Sequence, residues 1–124
     1  MRLLLVRHAT AFDRDASAWP DDPRRPLTAV GRAVFVALAN RLKRLERGVH
    51  QVLASPAVRA WQTAQLLQEK AGWPAPERCD VLLPEEVQGA EENRGPAAWT
   101  RWLAAYPDDA VVVRIAVAFR FVYG

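Results

Sequence analysis

Short apolar runs alternate along the chain with longer segments in which apolar residues recur at helical spacing. The apolar runs predict buried strands over residues 2–6, 50–54 and 80–83, and a fourth strand that starts at Ala110–Val113. The helical spacing predicts helices over residues 29–46, from 55 to about 71, and over 96–105. Strands that alternate with helices indicate an α/β fold with a mostly parallel sheet covered on both faces. We therefore expect a three-layer α/β/α sandwich in which the strand over 80–83 lies at an edge.

The helix boundaries carry their own signals. Thr28 is the predicted N-cap of the first helix, and Gly48 is its predicted stop signal. Ser55-Pro56 predicts the N-cap and first residue of the second helix, which should end at Gly72. The apolar positions predicted to face the core from the first helix are Ala33, Val34, Ala37, Leu38, Leu42 and Leu45.

Two segments between the predicted elements lack helical or strand periodicity. Residues 9–27 form a loop rich in Asp, Pro and Arg, and residues 84–96 form an acidic loop interrupted by Gly and Pro. Long loops without periodic structure are usually functional, so the segment over 9–27 is a candidate part of a site.

The composition limits the classes of function. At 124 residues the chain forms one domain, over residues 1–124. Its net charge of +3 arises from 17 basic and 14 acidic residues without a block of one sign, so we expect no nucleic-acid surface. Cys79 is the single cysteine, which excludes an internal disulfide and a thiolate zinc cluster and predicts a buried structural thiol. No apolar run suits a signal peptide or a membrane span, so we expect a cytoplasmic protein that binds no membrane.

Arginines follow two of the predicted strands. Arg7-His8 comes directly after the strand over 2–6, and Arg59 lies in the first turn of the helix after the strand over 50–54. If these strands are neighbours, both guanidinium groups can converge on one anion at the carboxyl edge of the sheet. Like charge around His8 favours a neutral imidazole that can attack phosphorus. The alternative is that the arginines make surface ion pairs and that His8 is a partly buried strand-end residue.

Three sequence motifs resemble those of one family. Val6-Arg7-His8-Ala9 is similar to an Arg-His-Gly signature with Ala9 in the glycine position, and Ser55-Pro56 through Ala64 is similar to a second signature. Arg25-Pro26-Leu27-Thr28, followed by Gly31-Arg32, resembles the lead-in to the first helix. Together they resemble the histidine phosphatase superfamily with its phosphoglycerate-mutase-like fold, in the SixA-type phosphohistidine phosphatase branch. The resemblance covers residues 1 to about 113.

The resemblance implies a site and a reaction. His8 would accept the phosphoryl group as a phosphohistidine, and Arg7 and Arg59 would hold the phosphoryl oxygens. Arg25 and Thr10 are further candidates to line the pocket. The candidate acids are Glu85 and Glu86, for which solvated loop carboxylates are the alternative. No metal or other cofactor is implied, and the partner is a phosphorylated substrate, with a phosphohistidine protein as one candidate; the oligomeric state stays open.

The family's second catalytic histidine is missing. The family has a phrase of the type Val-Val-Val-Gly-His, whereas here Arg114-Ile115-Ala116-Val117 follows the three valines. His50 opens the second strand, about 16 Å from the site if a strand of about five residues separates them, so it cannot substitute. Residues 114–124 are atypical of the family, and a change of reading frame near codon 114 is one hypothesis for them.

We therefore expect a phosphatase of impaired activity. A non-catalytic phosphate-binding module, a pseudophosphatase, is the alternative. A mutase of the same superfamily is disfavoured because the chain lacks room for the insertions that enclose a small diphosphorylated sugar acid.

Overall fold

The computed structural model describes residues 2–79, 104, 106–107 and 109–116. In this part of the chain the strands are β1 (Arg2–Arg7), β2 (Gln51–Ala54), β3 (Pro76–Arg78) and β4 (Val111–Ala116). The α-helices are α1 (Ala29–Leu45) and α2 (Val58–Ala71), and a short 3-10 turn covers Asp22–Arg24. The strands pair in the order β1-β4-β2-β3, and the three pairings are parallel. The predicted α/β fold with a parallel sheet is confirmed.

Strand β4 lies between the two strands that precede the arginine motifs. Arg7 at the end of β1 pairs with Ala116, and Ala54 at the end of β2 pairs with Ile115. The carboxyl ends of β1, β4 and β2 therefore meet at one edge of the sheet. The two motif strands are not neighbours, since β4 separates them by two strand spacings, or about 10 Å.

Helices α1 and α2 pack against the same face of the sheet. The main core cluster joins residues of β2 and β4 to both helices, and its members include Val52, Ala54, Val113, Ile115, Phe35, Ala39, Ala60, Ala64 and Leu67. Alternate residues of the strands point to the other face, where Leu53 and Val112 pack with Leu3, Ala110 and Tyr106. The predicted helix over 96–105 and loop over 84–96, together with the predicted strand over 80–83, lie outside the described residues apart from Ala104, which is helical.

The predicted core face of α1 is wrong. Val34 is 68% exposed and Leu45 is 73% exposed, whereas the buried residues of the helix are Gly31, Phe35 and Ala39. Of the predicted stripe, Leu42 packs in part against the core. The buried face combines the large Phe35 with two small residues, and at Gly31 the Thr10 backbone approaches so closely that a larger side chain would not fit.

Several predicted boundaries also shift. Thr28 is the N-cap of α1, as predicted, and its Oγ1 accepts a hydrogen bond of 2.8 Å from the Gly31 N–H. Helix α1 ends before an extended Glu46, so Gly48 is not its stop, whereas Gly72 ends α2 in the left-handed conformation at φ 70°. Helix α2 begins at Val58 rather than at Pro56.

Two further differences concern the segments beside α2. Ser55 is not its N-cap, because Ser55 Oγ accepts from the Ala57 N–H at 3.2 Å in the turn that precedes the helix. Strand β3, Pro76–Arg78, was not predicted from the sequence; its proline is tolerated because it opens the strand, whose partner among the described residues is β2. Among the described residues, no helix is long and apolar enough to cross a membrane.

Gly31→Ala tests the close approach at the start of α1. A Cβ at position 31 would lie 2.1 Å from the Thr10 carbonyl oxygen, which accepts a hydrogen bond from the Thr28 N–H. We expect the free energy of unfolding to fall by about 1–3 kcal/mol, as for other overpacked positions. Urea denaturation measures the change.

Gly48→Ala is the matched control, because a Cβ at Gly48 would meet nothing within 4 Å. Its free energy of unfolding should stay within about 0.5 kcal/mol of that of the unaltered chain. Equal stabilities for the two variants would contradict the close contact.

Candidate active site

His8 lies directly after β1, at the carboxyl edge of the sheet. Its Nδ1 lies 2.6 Å from the carbonyl oxygen of Ala9. Because a carbonyl oxygen can only accept, Nδ1 carries the proton and donates it to Ala9. The neutral ring then keeps its lone pair on Nε2, which makes Nε2 the nucleophilic atom.

The surroundings keep the His8 ring neutral. Burial lowers the pKa of His8 below its usual value of 6.5, and the hydrogen bond to Ala9 opposes this shift. The positive charges of Arg59, Arg7 and Arg25 lower the pKa of His8 further. At neutral pH the imidazole is therefore uncharged and able to attack an electrophilic phosphorus.

Arg59 is a buried charge in the first turn of α2. The residue is 4% exposed, and its two Nη atoms donate to Asp22, to the backbone oxygen at 3.0 Å and to Oδ2 at 3.1 Å. Arg59 Nε is buried and has no hydrogen-bond partner within the described structure. A buried donor without a partner costs about 1–3 kcal/mol, which an anion oxygen would recover. The Nε–H of Arg59 is therefore a candidate donor to an anion.

Arg7 and Arg25 complete the positive surroundings of His8. Arg7 is the exposed last residue of β1, and its side chain makes no hydrogen bond or ion pair in the described part of the chain. Arg25 donates from Nε to Asp22 Oδ1 at 3.0 Å and from Nη1 to the Phe12 carbonyl oxygen. The charges of Arg7, Arg25 and Arg59 all lower the pKa of His8, so these three predicted residues lie near enough to act on its ring electrostatically.

Asp22 is a site residue that the sequence reasoning missed. Its carboxylate contacts Arg25 and Arg59, and Arg14 Nε lies 3.6 Å from Oδ1. Burial raises the pKa of Asp22, but the charges of Arg59, Arg25 and Arg14 and the hydrogen bond from Arg25 outweigh it, so that the pKa lies below the usual value. No local signal distinguishes Asp22 from the other aspartates of the loop over 9–27.

The second motif also holds the His8 segment in place. Thr63 is fully buried on α2, where its Oγ1 accepts from the Ala9 N–H at 3.0 Å and donates to the Arg59 carbonyl at 2.7 Å. Gln62 Oε1 accepts from the Leu27 N–H at 2.9 Å. These side chains connect α2 to both ends of the loop over 9–27, a role that the sequence motif alone did not reveal.

The other candidates lie apart from this group or outside the described residues. Thr10 is exposed, and its backbone oxygen accepts a hydrogen bond from the Thr28 N–H. His50 lies at the amino end of the sheet, where its Nδ1 accepts from the Val111 N–H at 3.1 Å. Glu85 and Glu86 lie outside the described residues.

An apolar residue occupies the position where the sequence motif predicts the second histidine. Ile115 is fully buried in β4, between Val6 of β1 and Ala54 of β2. Arg114 is 2% exposed, points to the opposite face of the sheet and donates from Nη2 to the Sγ of a half-buried Cys79 at 3.9 Å. Position 115 therefore lies in the strand between the two motifs but offers no polar group to an anion.

Comparison with known proteins gives a family and a relative. A model of the histidine phosphatase superfamily (branch 1) matches residues 3–110 of the chain. An uncharacterised protein of Picosynechococcus sp. (strain PCC 7002) is 36% identical over 114 residues, which are 91% of this chain and 64% of that protein. The chain thus spans just under two thirds of this curated relative. Strand β4 lies beyond the residues that the family model matches. It includes residues 114 and 115, where the sequence differs from the predicted Gly-His motif.

Solved structures share the fold. A structure of the protein histidine phosphatase SixA in complex with tungstate is similar at a TM-score of 0.73 and 27% identity, over 94% of this chain and 69% of that one. A structure assigned to SixA from Nakamurella multipartitia gives a TM-score of 0.65 at 28% identity, over 94% of this chain and 58% of that one.

A mycobacterial glucosyl-3-phosphoglycerate phosphatase, with a TM-score of 0.58 at 23% identity over 93% of this chain and 73% of that one, has the same fold. The motifs seen in the sequence, the family match over residues 3–110 and the shared fold agree. The chain belongs to the histidine phosphatase superfamily, in its SixA-type branch, and has the phosphoglycerate-mutase-like fold.

Proposed function

We propose that the chain is a phosphatase that takes the phosphoryl group of its substrate onto His8. Nε2 of His8 attacks phosphorus, the bond from phosphorus to the leaving group breaks, and the leaving group takes up a proton from solvent water. Water then attacks the phosphohistidine, the P–N bond breaks, inorganic phosphate is released with the return of that proton to solvent, and His8 is again neutral. The observation that carries this proposal is the buried, unpartnered Nε of Arg59, whose charge acts on a neutral His8 ring.

The arginines supply the charge stabilisation that phosphoryl transfer needs. The transferring group spreads its negative charge over three oxygens, so catalysis depends on positioned positive donors. Arg59 offers Nε–H, and Arg7 is an exposed guanidinium without an intramolecular partner among the described residues. A complex of the SixA neighbour with tungstate, a tetrahedral oxyanion, supports an oxyanion pocket in this fold.

A phosphohistidine is the substrate that these groups suit best. Asp22, the carboxylate beside the arginines, has a lowered pKa and is ionised, so it cannot donate a proton to a poor leaving group. Imidazole leaves more readily than an alkoxide and needs less acid assistance. We propose a phosphohistidine protein as substrate, with phosphomonoesters as the wider class for which Glu85 or Glu86 would serve as acid.

A non-catalytic phosphate-binding module is the second candidate. Ile115 favours it, because a buried isoleucine replaces the donor that the family's histidine would add beside the phosphate. Removal of one preorganised donor typically costs about 10²–10³ in rate. We expect the chain to bind oxyanions and form the phosphohistidine but to hydrolyse aryl phosphates slowly; a binding module would form no phosphohistidine at all.

Formation of a covalent phosphohistidine separates the two candidates. Incubation with phosphoramidate, a small P–N phosphoryl donor, should label the unaltered chain with an acid-labile phosphate that mass spectrometry places on His8. His8→Gln should abolish the label because the nucleophile is lost. His50→Gln is the matched control, since His50 lies at the amino end of the sheet, and it should label like the unaltered chain. Absence of label from a folded chain that binds phosphate would favour the binding module.

Arg59→Ala should weaken the binding of inorganic phosphate. A hydrogen bond to a charged group contributes about 1.5–3 kcal/mol, which corresponds to an affinity loss of about 10- to 150-fold. Arg41→Ala removes an equal charge from an exposed position of α1 and should leave the affinity nearly unchanged. Isothermal titration at fixed salt measures both, and equal affinities for the two variants would contradict the pocket.

The pH dependence of phosphohistidine formation should reflect the His8 pKa. The attack needs the neutral ring, so the rate falls as the pH drops through that pKa. Because the pKa is lowered from 6.5, the midpoint of the acid limb should lie below pH 6.5. Arg7→Gln removes one of the charges that lower it and should move the midpoint upward. An NMR titration of the His8 ring that gives a midpoint above 6.5 would refute this assignment of its surroundings.

A further inference from the structure

Asp22 joins the arginines of the pocket into one group. Its Oδ1 accepts from Arg25 Nε at 3.0 Å, while its Oδ2 and its backbone oxygen accept from the two Nη atoms of Arg59 at 3.1 and 3.0 Å. The acceptors come from one residue in the 3-10 turn at Asp22–Arg24. Through Asp22, the loop over 9–27 and the first turn of α2 are therefore held at a fixed separation.

The contacts with Asp22 leave a defined part of the Arg59 guanidinium unused. A guanidinium carries five N–H donors in a planar fork. Asp22 accepts one hydrogen bond from each Nη of Arg59, whereas the Nε–H is buried without a partner among the described residues. The Nε–H is thus a donor that the described protein atoms leave unsatisfied, while the Nη contacts fix the plane of the group.

We propose that Asp22 is a positioning residue for phosphate binding. It holds Arg59 and Arg25 in the orientation that a phosphoryl group requires before the ligand arrives. This inference rests on the proposed function, because the ligand that it orients Arg59 towards is the phosphoryl group. Asp22 does not touch the reacting atoms; it acts through the two guanidinium groups.

Two opposing effects follow from a carboxylate in this place. Its negative charge repels a phosphate. Its hydrogen bonds, however, hold Arg25 and Arg59 in place before the ligand binds, so that less side-chain entropy is lost on binding. The cluster remains positive after Asp22 is counted, because the arginines at positions 7, 14, 25 and 59 outnumber it. Immobilising a flexible side chain on binding costs free energy, so the loss of two held arginines should outweigh the relief of repulsion in a partly solvated pocket.

Paired variants at positions 21 and 22 test the proposal. Asp22→Asn removes the carboxylate, while Asp21→Asn removes the same charge from an exposed neighbour whose side chain makes no capping hydrogen bond. We expect the dissociation constant for inorganic phosphate, measured by isothermal titration at fixed salt, to be about 3- to 10-fold higher in Asp22→Asn than in Asp21→Asn. Equal dissociation constants, or tighter binding in Asp22→Asn, would overturn the proposal.

A second pair of variants keeps the net charge of the unaltered chain. Asp22→Glu keeps the carboxylate but displaces it by one methylene, and Asp21→Glu is its control. We expect weaker phosphate binding in Asp22→Glu than in Asp21→Glu, and equal binding would count against positioning. Thermal unfolding of each variant shows that it is folded, so this pair decides the question if Asp22→Asn does not fold.

A double-mutant cycle shows whether Asp22 acts through Arg59. In the Arg59→Ala background, Asp22→Asn should change the dissociation constant by less than about 2-fold, because most of the interaction is already lost. A rise in the dissociation constant as large as in the unaltered background would mean that Asp22 does not act through Arg59, and would overturn the proposal. If the unaltered chain binds no phosphate, the proposed function fails along with it; if it binds phosphate and forms phosphohistidine but the Asp22 variants match their controls, only the positioning role fails.

Discussion

The parallel register at the carboxyl edge of the sheet is the constraint on which the rest of the structure depends. Pairing of Arg7 with Ala116 and of Ala54 with Ile115 brings the ends of three strands level with one another. His8 and the turn that leads into α2 follow directly from those ends. Because the side chains of a strand alternate between faces, a slip of one residue in either pairing would turn the core residues of that strand towards the wrong face.

Burial of Arg59 is the main energetic cost of the site. A guanidinium loses its hydration in such a place, and the structure compensates with two hydrogen bonds to Asp22 while one donor stays unpaired. The folded chain thus retains a local cost, which the proposed oxyanion ligand would relieve. The same positive group lowers the pKa of His8, so in the proposed function anion binding and nucleophile activation share one side chain.

The sequence predicted those parts of the molecule whose signals are local. Thr28 and Gly72 were predicted correctly because helix ends have characteristic residues. Arg7, His8 and Arg59 could be named as candidates because each follows an apolar run that predicts a strand. The burial of Gly31 and Ala39, by contrast, depends on how closely α2 and the loop approach α1, which the spacing of apolar residues in α1 does not encode. Asp22 could not be singled out either, since its role arises from contact with Arg59, a residue 37 positions away.

The central place of β4 has a consequence for how the chain folds. Strands β1 and β2 hydrogen-bond to β4 rather than to each other, although β4 follows both of them in sequence. Each pairing of β4 therefore closes a long loop, and contacts of high sequence separation form slowly. Helices α1 and α2 can dock on one another early, whereas His8 and the first turn of α2 reach their final separation only when β4 inserts. We expect the site to be the last part of the molecule to assemble during folding and the first to be lost when β4 detaches.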